Sequence, residues 1–207
     1  MTAGVQSLLM EAAEFRLLAL LFECPRAGWL EQVSKLGQAA ADPLLRAAAR
    51  HAPEEASEGL YHSIFGPGGP AAPREVSYLR TVQLGYLLSE LSAYYDAFRY
   101  APATQEAPDH IAVELGFFGF LRMKQAFALV CGEQAAHDTA ADAAARFRDE
   151  HLSVIAQPLA AALAESGVSY LAVAAKAALE KIGPPRAAAV LPCLAAEETK
   201  FDCGVCS

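Results

Sequence analysis

The sequence is short of positive charge. Its 16 Lys and Arg stand against 24 Asp and Glu, for a formal net charge of −8. Phosphate backbones draw basic surfaces, so this deficit argues against nucleic acid as a partner. An acidic surface suits solubility and can attract a basic peptide. Long apolar runs are missing too: nothing approaches the ~20 residues of a membrane span. The first 22 residues are apolar but interrupted by Glu11, Glu14 and Arg16. That pattern is an amphipathic helix, unlike the ~7–15 unbroken apolar residues of a secretory signal. No membrane insertion and a cytoplasmic, soluble protein are therefore expected. Cysteine is scarce, with five residues at 24, 131, 193, 203 and 206. An odd number without even spacing does not describe a disulfide-stapled fold.

Strand-type alternation is nearly absent as well. Hydrophobic residues nevertheless make up 54% of the chain, and much of that is alanine, the best helix former. The expectation is an all-α, single-domain bundle of roughly seven to ten helices. Leu8, Leu9, Phe15, Leu18, Leu21 and Phe22 recur at helical spacing and predict a first helix over 7–23. A second follows over 29–40. Asp42 and Pro43 read as an N-cap and first helical position, with that helix ending near Arg50. Pro53 then reads as the next start, with Glu54 and Glu55 at the positive end of a helix dipole. Residues 75–100 read as one long periodic segment. Asp109 is the expected N-cap of a helix apolar nearly all round, which places that helix at the bundle's centre. Gly132 and Gly167 are expected stops, and Pro158 is expected to kink or split a helical stretch over 133–166. A last core helix spans 170–182.

Phosphate-binding chemistry has no motif here. Gly66-Pro67-Gly68-Gly69 lacks a following Lys-Ser/Thr and lies between helical runs. No G-x-S-x-G elbow is present. His110 and Glu114, four apart, share a helical face and offer either two metal ligands or a helix-stabilising pair. Asp109 and His110 offer either a helix start or acceptors for a cationic peptide, since a carboxylate takes an arginine fork in bidentate fashion. Tyr86, Tyr94, Tyr95, Phe98 and Tyr100 form an aromatic row suited to the core or to a groove. Cys193, Cys203 and Cys206 form a C-x9-C-x2-C tail. Thiolates at that spacing suit zinc, an iron–sulfur cluster or a redox pair, although three are one short of a closed four-thiolate site.

Three segments together resemble the TorD/DmsD/NarJ group of chaperones for molybdenum enzymes. They are Tyr61-x-x-x-Phe65-Gly66-Pro67, then Pro73-x-Glu75 with Ser77-Tyr78, then Glu106-x-Pro108-Asp109-His110-x-x-x-Glu114-Leu115. The resemblance implies an all-helical protein without enzymatic turnover. It implies binding of a molybdopterin oxidoreductase catalytic subunit, and of its twin-arginine signal peptide, in the cytoplasm until the cofactor is inserted. Asp109 and His110 match the family's peptide-binding and hinge residues, and Glu75 and Tyr78 match the loop-proximal surface. Glu114 is a further carboxylate able to pair with an arginine. Arg74 and Val76 depart from the family's loop, which has an aromatic and a serine there. On this reading residues 1–185 form the chaperone domain, with a hinge near 101–108, and residues 186–207 form a cysteine-containing tail. No cofactor is required. The protein is a monomer or a homodimer, with domain swapping through the hinge as a route to the dimer. A different reading is a metal- or iron–sulfur-binding redox accessory protein that uses Cys193, Cys203 and Cys206.

Overall fold

The computed structural model describes residues 2–79 and 83–183. The three tail cysteines lie outside the described residues. Among these residues the fold is all-α: α1 (Ala3–Leu21), α2 (Trp29–Ala39), α3 (Pro43–Glu55), α4 (Glu58–Phe65), α5 (Leu84–Phe98), α6 (Ile111–Cys131), α7 (Gln134–Phe147), α8 (Ser153–Ala164) and α9 (Ser169–Ile182). A 3-10 turn at Glu75–Tyr78 precedes α5, and a π-helical turn at Arg148–Leu152 joins α7 to α8. No helix among them is long and apolar enough to cross a membrane.

The centre of the bundle is the α1–α6 pair. Phe15, Leu17, Leu18, Leu20, Leu21 and Phe22 are all but inaccessible, as are Ile111, Val113, Leu115, Phe117 and Leu121. Each fully buried Leu or Phe contributes on the order of 2 kcal/mol of apolar transfer free energy. Gly119 lets the two helices approach. A Cβ there would stand 3.1 Å from the Ala12 carbonyl oxygen and 3.1 Å from the Phe15 Cβ. A second aromatic layer joins α5, α6 and α7, with Tyr95 on Phe117 at 4.9 Å between centroids and Phe117 on Phe147 at 4.8 Å. The aromatic row is thus divided: Tyr95 is core, whereas Tyr86 is 70% exposed.

Several local expectations hold. Asp42 accepts from the Leu44 and Leu45 amides, with Pro43 at the first position of α3. Gly132 and Gly167 adopt left-handed φ of 72° after α6 and α8, where a side chain is strained.

Others are corrected. Pro53 lies inside α3 rather than at a new start, in its last turn, where the missing N–H removes a single ladder bond. Ser57 instead caps α4, accepting from the Leu60 amide. Glu55 does not serve its own helix dipole. Its carboxylate accepts the Tyr170 amide at 2.9 Å and so satisfies a donor that α9 cannot pair internally. The 75–100 stretch is not one helix, since the backbone around Glu75 bonds across the chain to residues 109–111. The interruption of 133–166 falls at the π turn, upstream of Pro158, which α8 accommodates. Asp109 does not cap α6: the cap is His110, whose ring nitrogen accepts the Ala112 amide.

Candidate functional site

Two irregular segments meet antiparallel through a single bridge between Arg74 and His110. The Glu75 amide donates to the Asp109 carbonyl at 2.8 Å, and the Ile111 amide to the Pro73 carbonyl at 2.9 Å. Buried backbone groups need partners, and here each segment supplies them to the other. The consequence is that side chains 35 residues apart become neighbours.

Arg74 reaches Asp109, with Nε and Nη2 standing 2.8 and 2.7 Å from Oδ1. The Asp109 side chain is fully buried and that of Arg74 is 36% exposed. Among the described residues the second Asp109 oxygen, Oδ2, has no hydrogen-bond partner.

His110 is buried beside this pair. Its Nδ1 accepts the Ala112 amide at 3.1 Å, which assigns the proton to Nε2. That nitrogen lies 3.1 Å from the Tyr61 hydroxyl, which in turn donates to Glu106 at 3.0 Å. Burial, aided by the Arg74 guanidinium, lowers the His110 pKa to about 3. The ring is therefore neutral at ordinary pH, and the chain His110–Tyr61–Glu106 leads from the core towards solvent.

A second acidic group lies behind it. Glu75 is buried and accepts from His151 Nδ1 at 3.1 and 3.3 Å. Glu114 is fully buried. Burial first, and then the charges of Glu75 and Asp109, push its carboxyl well above the usual carboxylate range. An ionised Glu114 would leave both oxygens unpartnered. Protonated, it can donate to Glu75, which is the arrangement two close carboxyls adopt when they cannot both be charged.

The structure thus brings Glu75, Asp109, His110 and Glu114 into one cluster, but it does not display them. These four side chains are buried, and the guanidinium on Asp109 is the chain's own. Tyr78 stands apart and half-buried, donating its hydroxyl to the Ala72 carbonyl at 2.7 Å, which staples its loop. The four-residue spacing of His110 and Glu114 makes neither a helix pair nor part of a cation-binding group among the described residues. His110 sits just outside the helix, and its i,i+4 partner is Glu106, at 4.0 Å. Sequence reading missed Tyr61, Glu106 and Arg74 as members. All three lie in the quoted segments, so the motif spacing carried them without their roles. His151 had no local cue at all.

The accessible apolar feature lies elsewhere. A groove of about 390 Å³ runs between α1 and α6, lined by Leu9, Ala12, Ala13, Phe120 and Met123, with Tyr100 and Ala101 at one wall. Leu9 and Met123 are exposed, and farther along α6 Phe127 and Val130 are 67% and 64% exposed. Clustered apolar exposure of this kind marks interaction surfaces rather than ordinary surface scatter.

A family model described as nitrate reductase delta subunit matches residues 26–161, well over half of the chain. The matched range runs from the loop before α2 into α8, and so contains both segments of the buried cluster. No curated protein sequence matches the chain.

Proposed function

This chain belongs to the nitrate reductase delta subunit family, the NarJ/TorD-type maturation chaperones of molybdoenzymes, and from that premise we propose how it holds its client. The client is the immature catalytic subunit of a molybdopterin oxidoreductase, bound in the cytoplasm before cofactor insertion. Its apolar leader lies along the α1–α6 groove, and the exposed row Met123, Phe127 and Val130 extends that seat. The observation that carries this reading is the groove itself, an apolar channel between the two central helices that nothing among the described residues fills. A helical peptide fits such a groove through side chains at i, i+3, i+4 and i+7.

The leader's arginines have a chemically matched seat at Asp109, with His110, Glu75 and Glu114 around it and Tyr78 stapling the loop that covers it. In the closed form Arg74 fills that seat. A client guanidinium takes that position once the 66–79 loop lifts, and can engage both carboxylate oxygens where Arg74 meets Oδ1 alone, so Arg74 acts as a placeholder. Holding the leader there delays its use and shields its apolar run from aggregation.

Titration calorimetry with a synthetic peptide carrying two arginines and an apolar run tests this. Met123→Asp, at an exposed position, is expected to weaken binding by about tenfold or more, the scale of burying an unpaired charge. Arg74→Ala is expected to tighten it, because the competitor is removed. Peptide affinity indifferent to both changes would sink the proposal.

A further inference from the structure

His151 ends in a nitrogen that no described residue binds. The side chain is 2% exposed. Nδ1 faces the Glu75 carboxylate, and among the described residues the buried Nε2 has no hydrogen-bond partner. A neutral ring presents a bare lone pair there, and a protonated ring presents a bare N–H. Buried polar atoms left in that condition in a folded protein call for an explanation such as an ion.

The surroundings supply one. His151 and Glu150 both lie on the π-helical turn, and Glu90 lies on α5. One ligand atom from each of the three falls within 4.8 Å of the others. Since Glu75 occupies Nδ1, the nitrogen left to ligate is Nε2. We propose that His151, Glu150 and Glu90 bind a divalent transition-metal ion, zinc by preference.

Four features support the assignment. The Glu75–His151 contact fixes the Nδ1–H tautomer and the ring's orientation, which is how protein metal sites prepare a histidine ligand. The Tyr94 hydroxyl donates to Glu150 at 2.9 Å and orients that carboxylate. Tyr94 and Phe147 hold the imidazole plane, with ring centroids 5.6 and 4.9 Å away. A single widened turn inside a helix is a device found mostly at functional positions. One nitrogen and two carboxylate oxygens suit zinc and its neighbours better than calcium, which takes oxygens alone. Two carboxylates also neutralise the ion's charge. A surface cavity of about 530 Å³, bordered by Glu90, Tyr94, Asp142 and Arg146, gives the ion a route in.

The site would clamp α5 to the α7–α8 junction, and through Glu75 it reaches the buried cluster. Cobalt(II) titration of the full chain tests it, with Cys193, Cys203 and Cys206 replaced by serine so that tail thiolates cannot contribute. The expected result is one Co2+ per chain, with visible bands lacking thiolate charge transfer, displaced by Zn2+. Glu90→Gln with Glu150→Gln is expected to weaken Co2+ binding at least about tenfold while leaving the circular dichroism unchanged, since neither residue is buried. Absence of Co2+ and Zn2+ binding in the serine background would overturn the proposal. So would binding that survives the paired glutamine substitutions.

Discussion

Arg74→Ala isolates the contact that closes the cluster. The substitution leaves Asp109, whose side chain is fully buried, without the only cation that the described residues place on it and with neither carboxylate oxygen paired among those residues. Breaking a buried pair by removing one member costs roughly 3–5 kcal/mol. The Arg74 end is partly open to solvent, at 36% exposure, so water can soften the loss, and about 3 kcal/mol is the working figure. For a domain of this size that lowers the melting temperature by about 6–12 °C. Asp109→Asn removes the charge while keeping the shape. In that background Arg74→Ala should cost about 1 kcal/mol or less, the net worth of an ordinary hydrogen bond. The coupling energy from the cycle is then about 2 kcal/mol. Urea unfolding of the four proteins, followed by circular dichroism, gives every number. Equal losses with and without the Asp109 charge would refute the reasoning, because the arginine would then be acting by packing alone.

Two further predictions concern protons. His110 has its folded pKa lowered from 6.5 to about 3, so the folded state binds fewer protons than the unfolded one between those values. Its contribution is whole above pH 6.5 and disappears as pH falls towards 3, a loss on the order of 5 kcal/mol. His110→Asn, which keeps a side chain able to cap α6, should flatten stability across that window, as measured by urea midpoints at stepped pH. Glu114 has the opposite sign. Its folded pKa is raised, so its contribution is whole below about pH 4.5 and is lost as pH climbs through the raised value. Glu114→Gln should remove that decline, leaving the variant at least as stable as wild type at pH 8. A wild-type profile that rises steadily from pH 6 to 9 would contradict this.

Much of the fold was legible because helix signals are local. The Asp42–Pro43 start and the Gly132 and Gly167 stops depend on a few adjacent dihedrals and caps, and each appears where the residues place it. The apolar girth of the helix after Pro108 likewise announced its central position. What the sequence could not give was burial of the cluster. Glycine and proline around residues 66–73 read locally as a surface loop. The bridge of Arg74 to His110 crosses a long gap in the chain and brings Arg74 onto the buried Asp109. Asp109 and His110 are both acceptable caps by type, and the choice of His110 follows from Asp109 being engaged by Arg74. Pro158 was the visible breaker in 133–166, yet the widened turn formed upstream, where His151 meets Glu75. That contact spans the molecule and leaves no trace in either segment's own pattern.

The central claim is that the α1–α6 groove holds an immature molybdopterin-dependent subunit. Affinity capture of the full-length chain from its native cell, in parallel with a Met123→Asp, Phe127→Asp double variant, tests it directly. The unaltered chain is expected to bring down a molybdopterin oxidoreductase catalytic subunit lacking its cofactor, and the double variant, folded as judged by circular dichroism, is not. Recovery of that subunit in equal amount by both proteins, or by neither, would contradict it.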